Sequence, residues 1–216
     1  MQSPRRLESS SQSRIDPDAV LKREQSLAEP RYGVSLVAGR PLPDPVVDAI
    51  RHLHSQLAEI APEDVILPDP GLLHITVLRG RSSPTPCARA APPPALAAVL
   101  KGATSVTLAW PLITLEPDGA IRAYTSPSVW PFPSADEVEL ALKVLSSTFA
   151  VQLSLQQRLW ATLCTLRTSA CAPSKITTIR TLLRRHSLPT TAVTGLKLLY
   201  YRDLQLASAD ILDTYE

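Results

Sequence analysis

Apolar and polar positions follow two different rhythms along the chain, and the change of rhythm marks its elements. Arg31 to Gly39, RYGVSLVAG, is a short run with β-branched residues closed by Gly-Arg-Pro, which predicts a strand. Pro43-Asp44-Pro45 then opens a helix. Along it Val46, Val47, Ile50, Leu53, His54, Leu57 and Ile60 recur at helical spacing until Pro62 ends the run. Leu72 to Gly80, LLHITVLRG, predicts a second strand. Residues 81–95 are a Pro/Ala/Ser loop, because proline removes the backbone donors that regular structure needs. A short apolar helix from Ala95 to Lys101 follows. Two strands across 105–125 then meet at the Pro117-Asp118-Gly119 turn, a hairpin signal.

Ser134 to Glu137 resembles a capping box opening a helix with Val138, Leu142 and Leu145 on one face. Arg158 to Arg167, RLWATLCTLR, predicts a further strand, Lys175 to His186 a basic helix, and Gly195 to Leu206 one or two closing strands. The order is strand, helix, strand, hairpin, helix, strand, helix, strand. It predicts one α+β domain over residues 31–216. Residues 1–30 lack a cluster of bulky apolar side chains and predict a tail that is flexible or helical only in part, with Asp16 to Leu27 able to make a short polar helix.

Composition narrows the function classes. A length of 216 residues fits one domain plus a tail, and 44% hydrophobic with 19% charged residues suits a globular chain with a real core. The 22 basic and 20 acidic residues leave a formal charge of +2, which excludes polybasic binding but permits a local basic groove. No apolar run approaches the roughly 18 residues of a membrane span, so no membrane partner is expected. Cys87, Cys164 and Cys171 are odd in number and form no CxxC pair, indicating neither a disulfide framework nor a zinc site. The N-terminus has no apolar signal region, which predicts an intracellular protein, cytoplasmic or alternatively nuclear.

Four histidines are the candidates for proton transfer near neutral pH. His54 falls on the apolar stripe of its helix and His52 off it, the positions of a core histidine and a solvent-exposed one. His186 follows Arg184 and Arg185 at a helix end, where an imidazolium meets the carbonyl dipoles. His74 differs from all three. In a regular strand His74, Thr76 and Leu78 share one face while Leu73, Ile75 and Val77 share the other. An imidazole and a hydroxyl thus project together, able to move a proton and hold a phosphoryl oxygen. An ordinary solvent-facing polar pair gives the same pattern. Each half of the chain carries a helix, a linker and a strand with a short motif: His74-Ile75-Thr76 and Trp160-Ala161-Thr162.

Tyr32-Gly33-Val34-Ser35-Leu36, the helix after it, and Pro70-Gly-Leu-Leu-His74-Ile-Thr76-Val-Leu resemble the first half of the two-histidine phosphoesterases. These include the RNA 2′,3′-cyclic phosphodiesterases, also called 2′-5′ RNA ligase-like proteins. The resemblance spans roughly residues 31–206. It implies a two-lobed, pseudo-symmetric fold of antiparallel sheets flanked by helices around a central cleft, with a His-x-Thr/Ser motif on equivalent strands. Carried over, His74 is the acid or base, and Thr76 and Thr162 hold the phosphate. Trp160 stands where the family has its second histidine. An indole exchanges no proton at neutral pH, and losing one of two acid–base groups typically costs about 10²–10⁴ in rate. It can instead stack on a base, a contact worth roughly 1–3 kcal/mol.

Arg79, Arg122 and Tyr124 are the best supporting candidates for substrate binding, with Arg81, Arg158 and Arg167 behind them. There is no Gly-rich phosphate loop, nucleophile elbow or HExxH. The expected activity is therefore a hydrolase reaction on a nucleotide or RNA-end phosphodiester, a 2′,3′-cyclic phosphate or 2′-5′ linkage, by a monomer without cofactor or metal. The alternatives are a catalytically degenerate nucleotide- or RNA-binding protein and the same fold recruited to another acid–base reaction.

Overall fold

The computed structural model describes residues 14–100, 105–127, 135–156 and 158–215. Among the described residues five α-helices and ten strands follow one another as α1 (Pro17–Ala28), β1 (Gly33–Ala38), α2 (Asp44–Ile60), β2 (Val65–Ile66), β3 (Ile75–Gly80), α3 (Pro94–Leu100), β4 (Ser105–Leu115), β5 (Ala120–Pro127), α4 (Ala135–Phe149), β6 (Leu153–Leu155), β7 (Trp160–Leu166), α5 (Pro173–Arg185), β8 (Thr191–Thr194), β9 (Leu196–Tyr201) and β10 (Ala209–Tyr215). The expected α+β class holds. All strand pairs are antiparallel, in two five-stranded sheets ordered β10-β9-β1-β3-β6 and β2-β7-β5-β4-β8.

Reading the second sheet backwards, β8-β4-β5-β7-β2, exposes the pseudo-symmetry. In each lobe a motif strand (β3 or β7) lies between the strand that opens its half (β1 or β5) and a two- or three-residue strand. The short strands are exchanged. β2 precedes β3 in the chain but pairs with β7, and β6 precedes β7 but pairs with β3. The helices follow them. Ile50, Leu53 and Leu57 of α2 pack in the core with Ile121, Ala161 and Leu163 of the second sheet. Ala141, Leu145 and Phe149 of α4 pack with Val34, Leu36 and Leu78 of the first. Each of these large side chains is fully buried, worth about 1.5–3 kcal/mol. Each sheet is thus completed by a strand from the other half of the chain.

Two sequence expectations are corrected. The second strand begins at Ile75 rather than Leu72, because Pro70–Leu72 form a turn of 3₁₀ helix whose N-cap, Asp69, accepts from Gly71 N. His74 therefore precedes the strand. Leu78 does not share a face with Thr76. The β1–β3 register skips one residue, from Leu36↔Leu78 to Val37↔Thr76, so a bulge at Val77 flips the alternation. Leu78 enters the core and Arg79 takes the cleft side. Gly195 to Leu206 holds one strand, β9, as expected, while β8 before it and the edge strand β10 after it lie outside the range that predicted strands. The capping box at Ser134 lies outside the described residues.

The segment expected as a flexible or partly helical tail contains α1. Asp16 caps it by accepting from Asp18 N and Ala19 N, and Pro17 supplies the fixed φ suited to a first helical turn. Val20 is fully buried against Gly119, whose φ of +77° makes the hairpin turn. Glu24 accepts from Arg167 Nη1 and from the amide and hydroxyl of Thr168. Among the described residues no helix is long and apolar enough to cross a membrane.

Candidate active site

The two motif strands meet over a cavity of about 510 Å³, a volume typical of small-ligand sites. His74 and Thr76 line it from the first lobe, Trp160, Thr162 and Thr165 from the second. The bulges explain how. The β5–β7 register steps from Ile121↔Cys164 to Arg122↔Thr162, leaving Leu163 as the extra residue. Leu163 follows Thr162 as Val77 follows Thr76, so each motif threonine sits immediately before a bulge. Beyond the bulge the face is restored three residues on, at Arg79 and Thr165, and both line the cavity.

His74 presents a neutral imidazole at the cavity wall. Its Nδ1 lies 3.0 Å from the carbonyl oxygen of Leu72. A carbonyl only accepts, so Nδ1 carries the proton and Nε2 keeps its lone pair. Burial, with the nearby charge of Arg40 acting in the same direction, pushes the imidazole pKa down to about 4 against the Leu72 hydrogen bond. At neutral pH the ring is uncharged and able to accept a proton.

Trp160 is built into a ladder of side chains. The Arg122 guanidinium lies 5.2 Å from its ring centroid, Tyr124 meets it edge-on at 5.8 Å, and Arg158 stacks on Tyr124 at 3.7 Å. Cross-strand pairing produces this order, with Tyr124 opposite Trp160 and Arg122 opposite Thr162. Arg122 and Arg79 line the cavity, as Trp160 does. Tyr124 does not. Its hydroxyl donates to Glu116 at 2.8 Å and its ring is buried behind the indole, so it supports Trp160. Burial and Glu116 raise the Tyr124 phenol pKa.

The cavity is electrostatically one-sided. Lys22 and Arg23 from α1 join Arg79 and Arg122, against the single acid Asp118 among the described lining residues. Asp118 Oδ2 accepts from Arg122 Nη2 at 2.8 Å and from Arg23 Nη1 at 3.2 Å. The Arg122 Nε is buried without a partner. Such a surplus suits an anion. Sequence reasoning did not single out Lys22, Arg23, Asp118 or Thr165. The Ala19, Lys22, Arg23, Ser26, Leu27 spacing was the available signal, because it places all five on one face of a helix.

The remaining histidines lie elsewhere. His54 is buried, with Nε2 donating to Leu163 O at 2.8 Å, and burial lowers its pKa. His52 is exposed and stacks at 6.3 Å on His186, whose pKa is lowered by burial first and by His52 second. Arg81 and Arg158 are exposed, and Arg167 pairs with Glu24. The three cysteines are free, and burial drives the thiol of Cys164, in the cavity wall, upward. Among the described residues no cluster of three or more His, Cys, Asp or Glu could hold a metal ion. No protein-family model matches the chain, and no curated protein does so at a significant level.

Proposed function

We propose that the protein hydrolyses a phosphodiester of a nucleotide or RNA end, a 2′,3′-cyclic phosphate or a 2′-5′ linkage, with His74 as its one imidazole. The observation that carries this reading is the convergence of His74, Thr76 and Thr162, from two lobes, on one cation-lined cavity. The resemblance of the His74-Ile75-Thr76 strand to the two-histidine phosphoesterases points the same way. His74 Nε2 takes a proton from water as its oxygen attacks phosphorus. The Thr76 and Thr162 hydroxyls donate to the non-bridging oxygens. As the bond from phosphorus to the ribose oxygen breaks, that oxygen takes its proton from solvent, since the matching position carries the Trp160 indole. Arg122, paired across from Thr162, offsets the charge gathering on the phosphoryl group.

The test is turnover of 2′,3′-cyclic nucleotides, 2′-5′ dinucleotides and cyclic-phosphate-ended RNA, with His74→Ala beside the wild type. Turnover that disappears in a folded His74→Ala variant is expected. Full activity in that variant would sink the proposal. The indole favours a second reading, a nucleotide- or RNA-end-binding protein without turnover in which Trp160, braced by Arg122 and Tyr124, stacks on a base. In that case the wild type binds these ligands without converting them, and Trp160→Ala weakens binding.

A further inference from the structure

The cavity is lined by four cationic side chains, Lys22, Arg23, Arg79 and Arg122, against Asp118 as the one acid among the described lining residues, more charge than one phosphate needs. Arg23 lies near enough to Asp118, Arg122 and Arg79 to feel the charge of each. Arg79 pairs with Ser35 and Thr76 with Val37, so across the bulge Arg79 lies two partner residues further along the sheet, about 7 Å at roughly 3.3 Å per residue. Its guanidinium has no hydrogen-bond or ion-pair partner among the described residues, and neither has the Lys22 ammonium. Arg23 is held in place, with Nε donating to Thr165 Oγ1 at 3.3 Å and Nη1 to Asp118. Helix α1 is fixed by Val20 and Glu24 on its inner side, so its polar face forms cavity wall.

We infer that Lys22, Arg23 and Arg79 form a second anion subsite that binds the phosphate on the 5′ side of the reacting nucleotide. The preferred ligand is then an RNA 3′ end with at least one upstream phosphate, and α1 is part of the binding site. This rests on the phosphodiester reading above. It adds that a free cyclic mononucleotide fills half the site.

The experiment measures affinity for a nucleoside 2′,3′-cyclic phosphate with and without a 5′-phosphate, in wild type, Lys22→Gln, Arg79→Gln and the double variant. Both side chains belong to exposed residues, and thermal melting checks that the fold is kept. Charge-assisted hydrogen bonds predict that the 5′-phosphate tightens wild-type binding by about tenfold or more. That gain should shrink in each single variant and fall furthest in the double variant, where Arg23 alone remains. Added salt should erode it as well. No gain in the wild type, or an undiminished gain in the double variant, overturns the second subsite while leaving the phosphodiester reading standing. A wild type that binds and converts neither probe overturns both.

Discussion

His74 and Trp160 occupy equivalent places in the two halves, yet their surroundings have been put to different uses. Each precedes a threonine by two residues, each threonine precedes a bulge, and each strand opens on the same cavity. On the first lobe the imidazole is tied at Nδ1 to a local carbonyl and left with a free lone pair. On the second, the equivalent position is filled by a ring packed against a guanidinium and a phenol. The backbone preserves the symmetry while the side chains abandon it. Threonine hydroxyls line the cavity on both sides, but an imidazole lines it on one. Under the proposed function, acid–base chemistry would act from one side only, and the Trp160 side would serve recognition.

The sharpest way to break this asymmetry is Trp160→His. If the second lobe lacks only its acid, turnover of a 2′,3′-cyclic nucleotide should rise by as much as about 10²–10⁴. An unchanged rate with binding intact would show that the lobes differ by more than one side chain. The exchanged helix α2 offers the next effect. His54→Ala leaves the Leu163 carbonyl without its donor and opens space beneath β7, costing about 2–4 kcal/mol of stability. Thermal melting should register it, and an unshifted transition would remove His54 from the account.

Thr76→Val and Thr162→Val test the part of the symmetry that survives. Each should lower turnover about tenfold by deleting one hydrogen bond to a charged phosphoryl oxygen. The two losses should match closely. A loss confined to Thr76→Val would confine phosphate binding to the first lobe.

Acid should reveal His74 last. Its folded pKa of about 4 lies below the ordinary 6.5, so between those values the unfolded chain binds more protons. The contribution to stability is complete above about pH 6.5 and is lost as pH falls towards 4. His54 and His186, also lowered, act in the same direction. His74→Gln should flatten the decline measured by denaturant unfolding at pH 4.5 against pH 7. The acid limb of kcat/KM should likewise lie near 4, since only neutral imidazole accepts a proton.

Much of this arrangement was legible in the chain. Apolar spacing from Val46 to Leu57 and the Pro117-Asp118-Gly119 turn are local signals, and the helix and hairpin follow them. His74-Ile75-Thr76 stood out because an imidazole and a hydroxyl broke an otherwise apolar run. The bulges did not stand out. Val77 and Leu163 are ordinary strand residues, and only pairing with β1 and β5 makes them extra, so Arg79 and Leu78 exchange the faces that strict alternation assigns. Strands β2 and β6 are too short to carry a pattern, and their exchange depends on contacts distant in sequence. Helix α1 misled for a different reason. Its polar face faces a cavity that does not exist until both lobes are assembled, and polarity alone does not distinguish that from solvent.

The most direct test of the central claim is a crystal structure with a nucleoside 3′-monophosphate, the product of opening a 2′,3′-cyclic phosphate at O2′. The account predicts the phosphate between the lobes, its oxygens within hydrogen-bond distance of both the Thr76 and Thr162 hydroxyls, with a water donating to His74 Nε2. A phosphate bound away from the threonines, or touching one lobe alone, would contradict it.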